Sequence, residues 1–328
     1  MGLFLVTGGC GFIGSHLCDA LIAGGASVRV LDDLSTGSPD NVSPKATILQ
    51  GSVSDPDMVE AAMRDVEGCF HLAAIASVER STRDWLGAHR TNLSGTIAVF
   101  DAARRVGRRP IPVVYASSAA VYGDCQDLPL REAAAARPRS AYGADKLGCE
   151  LHARIAGEVY GVPTVGLRFF NVYGPRQPPS SPYSGVISNF CGRLLYGEPI
   201  EIFGDGRQTR DFVFVGDVVT ALRAAMCAKI ERPAVFNVCS GRQTSVGDLA
   251  RLVGALCGHE PEIRFRPARL GEIAHSWGDC SLARRSLALP EPIELSRGLE
   301  ITLSWMANTL RTRPRTREEA LPAALMLR

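Results

Sequence analysis

Tyr142 and Lys146, in the stretch "SAYGADKLGCE", stand four residues apart and so share one face of a helix. A free phenol has a pKa of about 10, and a lysine cation beside it favours the phenolate. That makes Tyr142 a candidate general base. Earlier in the chain, "SSAAVYG" (117–123) offers two hydroxyls at the end of an apolar run. A serine there can bridge the phenol and a substrate hydroxyl. With a nicotinamide alongside, such a set would move hydride to or from an alcohol. Alone, a Tyr-x-x-x-Lys pair is equally a surface pair on an amphipathic helix, so its meaning depends on the elements around it.

Those elements alternate through the first half. Apolar runs at Leu3–Thr7, 27–32, 46–52, 69–74, 111–118 and 164–170 are interleaved with helical stretches at about 13–22, 55–66, 92–106 and 141–160. Runs without alternation suit strands buried on both faces, and the interleaving predicts an α/β fold with a doubly wound, parallel Rossmann sheet. After Asn171 the rhythm changes. "NVYGPRQPPSSPYSG" packs four prolines and two glycines into fifteen residues and reads as a loop. The mixed segments beyond it predict a smaller C-terminal lobe over the carboxyl ends of the strands, where ligands of such sheets lie.

At the amino end, "TGGCGFIGSHL" sets Gly8, Gly11 and Gly14 between a strand and a helix. Small residues there let the backbone approach a pyrophosphate, whose charge then sits at the helix N-terminus. Asp32 ends the second strand, where a carboxylate accepts from both ribose hydroxyls and repels a 2′-phosphate. No arginine follows it directly, so NAD is expected rather than NADP. The alternative for Asp32 and Asp33 is a turn-forming pair before "LSTGSPDN".

With 46% hydrophobic and 21% charged residues, the 328-residue chain is globular and long enough for two lobes. A net charge of +2 gives no reason to expect nucleic acid, and the arginine clusters at 104–109 and 311–317 read as solvated faces. The ten cysteines show no CxxC and no His-Cys ligand spacing, so they predict reduced thiols and no metal. The amino end has neither a basic leader nor an apolar stretch long enough to span a membrane, so a cytoplasmic protein is expected.

Taken in order, "TGGCGFIGSHL", "FHLAA" with His71, "TNLSGT" with Asn92, "SSAAVYG", "YGADK", "RFFNVYGPRQ", "GDGRQTRDFVFVGDVV" and "RLGEIAHSWGD" resemble the extended short-chain dehydrogenase/reductases. The closest resemblance is to their UDP-glucose 4-epimerase branch, and it covers nearly the whole length. It implies residues 1–170 as an NAD-binding Rossmann domain and 171–328 mainly as a UDP-sugar lobe, with a return of the chain to the first domain left open. It implies Ser118 as the catalytic serine beside Tyr142 and Lys146, with Ser117 as its neighbour. Around NAD it implies Gly8, Gly11, Phe12, Ile13, Gly14, Asp32, Asp33, Ser35 and Gly37. Ser52 and Val53, then Leu72, Ala73 and Ala74, then Asn92, Ser117 and Phe169 complete that set. For the UDP-sugar it implies Ser118, Ala119, Asn171 at the diphosphate, Phe203 at uracil, the arginine clamp Arg210 and Arg269, and Glu272 and Ser276. A planar guanidinium suits such a clamp because it binds phosphate oxygens bidentately. A homodimer through exposed helices is likewise implied.

Two positions depart from the family pattern. Ser52 stands where an aspartate is often found, and Glu272 replaces the aspartate of Arg-x-Gly-Asp. The alanines after Ser118 carry more weight. Dehydrating relatives resemble one another in an Asp-Glu pair at these positions, and decarboxylating ones keep the glutamate. Elimination needs a base for a carbon-bound proton and an acid for the leaving hydroxyl, and Ala119 and Ala120 supply neither. The expected chemistry is therefore reversible oxidation at C4 of a UDP-hexose through a 4-keto intermediate, interconverting UDP-glucose and UDP-galactose. Ser276, small where a tyrosine would restrict the pocket, extends the expectation to UDP-GlcNAc. Rival readings are a UDP-glucuronate 4-epimerase, which Pro178 disfavours because it offers no positive charge, a net NAD-dependent sugar dehydrogenase, and a non-catalytic dinucleotide sensor.

Overall fold

The computed structural model describes residues 2–177, 185–228, 230–268 and 273–312. Its first half is a run of strand–helix units: β1 (Leu3–Thr7), α1 (Phe12–Ala23), β2 (Ser27–Asp32), β3 (Thr47–Gln50), α2 (Pro56–Met63) and β4 (Gly68–His71). Short helices α3 (Val78–Arg83) and α4 (Trp85–His89) lead through one π-helical turn at Arg90–Ser94 into α5 (Gly95–Arg105). Then follow β5 (Val113–Ser118), α6 (Ala141–Tyr160) and β6 (Thr164–Phe169). The helix α6 starts where Ser140 accepts from the Gly143 amide at 3.0 Å and stops at Gly161, which is left-handed at φ 70°.

The second half is built from shorter pieces: β7 (Asn171–Tyr173), α7 (Val186–Leu195), β8 (Ile200–Phe203), β9 (Thr209–Arg210), β10 (Phe212–Phe214) and α8 (Val215–Cys227). After these come β11 (Ala234–Val238), β12 (Thr244–Ser245), α9 (Val246–Cys257), β13 (Ile263–Arg266), β14 (His275–Ser276), α10 (Ser281–Leu287) and α11 (Leu295–Thr312). The first three residues of the stretch expected to be a loop form β7, because Asn171 finds a backbone partner in the Asp211 carbonyl and β10 extends the pairing.

Seven parallel strands in the order β11-β6-β5-β4-β1-β2-β3 make the main sheet. Its outermost strand β11 comes from beyond residue 171, so the chain does re-enter the first sheet. Leu17, Cys18 and Leu21 of α1 and Val218 and Leu222 of α8 bury one face of the sheet. On the other, Val59 and Met63 of α2, Val99 and Ala103 of α5, and Cys149 and Ala153 of α6 do the same. The smaller lobe has its own core of α7, α9 and α11 over β8. The strand order reverses direction between β1 and β4, and a crevice at their carboxyl ends is where such a fold holds its ligand.

Candidate active site

A cavity of about 520 Å³ opens at that point, walled by the turns after β1, β2 and β4. Gly8 has φ +69°, and a Cβ there would lie 2.7 Å from the Ala73 amide. A Cβ on Gly14 would collide with the Gly8 carbonyl. The glycines thus let α1 and the β4 turn close on one backbone. The N-terminus of α1 has no side-chain cap and no acidic residue in its first turn, so its amides remain available to an anion. Asp32 accepts from the Cys10 and Leu34 amides, both at 2.9 Å. A carboxylate has about four lone-pair sites, so two remain for a ribose diol. These features fit a dinucleotide.

Phe12, Ile13, Asp33, Ser35, Val53, Leu72, Ala74 and Phe169 also line the cavity, as do Gly8, Gly11, Gly14, Asp32 and Ala73. Three residues expected at the cofactor do not line the cavity. Gly37 packs on Cys10, where a Cβ would lie 2.6 Å from the carbonyl carbon. The Ser52 hydroxyl accepts from the Ser54 amide at 3.1 Å. Asn92, fully buried, accepts from Ile75 N at 2.8 Å and donates to Ile75 O, so it acts by pinning the β4 loop.

Ser118, Tyr142 and Lys146 line the same cavity, and Ser117 contributes to its wall. The ammonium of Lys146 donates to the Ala116 carbonyl at 2.9 Å and lies 5.8 Å from the centre of the Tyr142 ring. Ser118 caps a short 3-10 turn over Ala119–Tyr122, accepting from Ala120 N at 3.2 Å, which leaves its proton and one lone pair for a bridge. Gly143 lets that turn approach α6, since a Cβ on it would lie 2.6 Å from the Ala120 carbonyl. Ser117 points away from the reacting end. It is buried and donates to Glu150 at 2.5 Å.

That bond belongs to a network that sequence reasoning missed. Arg168 grips both oxygens of Glu150 (2.8 and 2.7 Å) and donates to the Tyr122 hydroxyl at 2.8 Å. Tyr122 in turn donates to Asn237 at 2.6 Å, and burial pushes its phenol up to about 12. The signal was an arginine inside an otherwise apolar strand, which demands a buried counter-charge. A second chain fixes β1, β4 and α5. Thr96 donates to the Asn92 carbonyl, so His71 Nε2 donates to Thr96 and His71 Nδ1 accepts from Thr7 at 2.7 Å. Burial, with Lys146 nearby, drops the His71 pKa to about 3, so the ring stays neutral.

Phe170, Val172 and Gln177 also line the cavity, as do Arg80 and Thr91, none of them anticipated. Arg210 and Ser276 lie side by side as register partners of β9 and β14. Asn171 is exposed at the start of β7, and Phe203 ends β8. Ala119, Asn171, Phe203, Arg210 and Ser276 do not line the cavity itself. Arg269, Glu272 and Pro178 lie outside the described residues. Among the described residues no cluster of ligating side chains suits a metal, and no helix is long and apolar enough to cross a membrane.

A carboxylate with free acceptor sites at the end of β2 and a serine, tyrosine and lysine on the wall of the same cleft are the features of a dinucleotide-dependent enzyme. More specifically, the chain belongs to the NAD dependent epimerase/dehydratase family, which it matches over residues 4–239. It is 37% identical to a UDP-glucose 4-epimerase of Mycolicibacterium smegmatis across 93% of this chain and 98% of that protein. The structure of a Thermotoga maritima UDP-glucose 4-epimerase with UDP-glucose superposes with a TM-score of 0.89 at 35% identity, covering 94% of this chain and 99% of that one. A Methanobrevibacter ruminantium UDP-N-acetylglucosamine 4-epimerase, in complex with UDP-N-acetylmuramic acid, gives 0.89 at 34% identity over the same shares.

Proposed function

We propose that this protein is an NAD-dependent UDP-hexose 4-epimerase that interconverts UDP-glucose with UDP-galactose and admits the corresponding N-acetylated pair. The observation that carries this reading is one cavity wall with Ser118, Tyr142 and Lys146 on it and only alanines at the next two positions. Tyr142 takes the proton of the sugar hydroxyl with Ser118 as the bridge. Lys146, held by the Ala116 carbonyl, stabilises the charge left on the phenol. NAD, when bound, supplies an acceptor that takes a hydride and gives it back. No side chain at 119 or 120 can protonate a leaving hydroxyl, so the oxidised sugar has no exit except reduction. Asn171, Arg210 and Arg269 hold the nucleotide diphosphate in this reading, Glu272 the uridine ribose, and Phe203 the base. Ser276 leaves room at C2.

Residues 1–170 serve the cofactor and 171–328 mainly the sugar nucleotide, with β11 returned to the first sheet. The protein works as a cytoplasmic homodimer. Support for pairing comes from α6, which exposes Leu151 (51%), Ile155 (41%) and Val159 (62%) at four-residue spacing beside Ile97 of α5. Support for a reducing compartment comes from ten cysteines that are all free thiols. The deciding experiment supplies UDP-glucose to the purified protein without added NAD and follows UDP-galactose. Formation of NADH in step with product would point instead to a net dehydrogenase.

A further inference from the structure

Between β9 and β10 lies a carboxylate with no exposed surface, Asp211, next in sequence to Arg210. Its Oδ1 accepts from the Ser240 amide and the Ser240 hydroxyl, each at 2.7 Å. Its Oδ2 accepts from the Gly241 amide at 3.0 Å and the Gly278 amide at 3.3 Å. All four donors point at oxygens that can only accept, which is the bonding of an ionised carboxylate. Burial pushes this carboxyl above its usual range, and the same four bonds pull against that rise. Its own backbone carbonyl receives both the amide and the side-chain Nδ2 of Asn171, at 3.0 and 3.2 Å.

These partners come from different parts of the fold. Ser240 and Gly241 follow β11, the edge strand of the main sheet, whereas Gly278 follows β14 of the small lobe. Asn171 begins β7. One side chain and one carbonyl therefore fix the register of three segments, each carrying a residue expected to touch the sugar nucleotide: Asn171, Arg210 and, two residues before Gly278, Ser276. A buried charge with this many donors is costly to leave half-satisfied, so the segments move together or not at all.

We propose that Asp211 is the positioning residue of the UDP-sugar site, setting Asn171, Arg210 and Ser276 at their mutual distances without touching ligand. The inference rests on the UDP-sugar reading given above. Asp211→Asn keeps the shape, but however the amide turns, its N–H₂ faces two of the four donors. The expected result is a rise in the Kd for UDP, and in the KM for UDP-glucose, of about tenfold or more. Bound NAD per folded protein and kcat should change by less than about threefold, because the Ser118–Tyr142–Lys146 set is held by other bonds. A merely structural role would lower the melting temperature, NAD content and kcat together and leave the UDP Kd of the folded fraction unaltered. That outcome overturns the proposal. If Asp211→Asn does not fold, Ser240→Ala removes a single donor and is expected to raise the UDP Kd a few-fold, and an unchanged Kd there defeats the idea equally. A wild type that binds no UDP would refute the functional reading and this inference with it, whereas a wild type that binds UDP beside an Asp211→Asn with unchanged Kd refutes this inference alone.

Discussion

Replacing Asp32 by alanine separates the carboxylate's hold on its own turn from the ribose binding proposed for it. In the protein it accepts from the Cys10 and Leu34 amides, which leaves two lone-pair sites for a ribose diol. Hydrogen bonds to a charged group contribute about 1.5–3 kcal/mol each. Two of them amount to roughly 3 kcal/mol at the low end, about a hundredfold in NAD affinity. The alanine also strands the amide of Cys10, a fully buried residue, at a cost of about 1–3 kcal/mol in the stability of the cofactor-free protein. A loosened glycine turn would weaken NAD and NADP alike, whereas loss of the carboxylate weakens NAD and relieves the repulsion of a 2′-phosphate. The assay is therefore a pair of titrations, NAD and NADP, with thermal unfolding of the cofactor-free protein beside them. A large fall in the NAD/NADP preference is expected, with a lower melting temperature. If both cofactors weaken by the same factor, Asp32 supports only the turn, and unchanged NAD binding would place the ribose elsewhere.

Other perturbations test the remaining parts. Tyr142→Phe should keep UDP-glucose binding and lower kcat by a factor of about 10² to 10⁴, the usual loss for a positioned base, and near-native turnover would remove Tyr142 from the role. Ser276→Tyr, beside Arg210, should cut turnover of UDP-GlcNAc far more than that of UDP-glucose, and an equal loss of both defeats the idea of a gate at that position. Arg168→Met should strand the buried Glu150 carboxylate and destabilise the fold by about 3–5 kcal/mol, read from denaturant midpoints. His71 has a native pKa of about 3 against an unfolded value of 6.5, so the unfolded chain binds the extra proton between those pH values. Stability should accordingly fall as pH drops through that window, and His71→Asn should flatten the slope.

What the sequence made legible and what it hid divide along a physical line. Periodicity located every strand of the first half, and the bounds 3–7, 27–32 and 141–160 agree with β1, β2 and α6. Such elements are specified by residues a few positions apart. The cavity wall built from the glycine turn and Asp32 follows from the same short range, since glycines and an acid at fixed spacing act on their own turn. Ser117 and Ser118 are neighbours with opposite fates, and only tertiary contact distinguishes them. Glu150, thirty-three positions later, claims the first; the second caps the 3-10 turn that Gly143 admits against α6. Asn92 illustrates the converse. Its motif was visible, but the residue touches Ile75 rather than the cavity, because a fully buried amide must satisfy its neighbours first. The Asp211 junction is the furthest from local code. Its donors lie at 240, 241 and 278, so nothing within reach of its own strand reveals it. Short-range spacing thus encodes which groups can react, and long-range buried polar bonds encode how far apart they stand. For a reaction that must oxidise a sugar on one face and return the hydride on the other, that second code sets how much room the sugar has to turn.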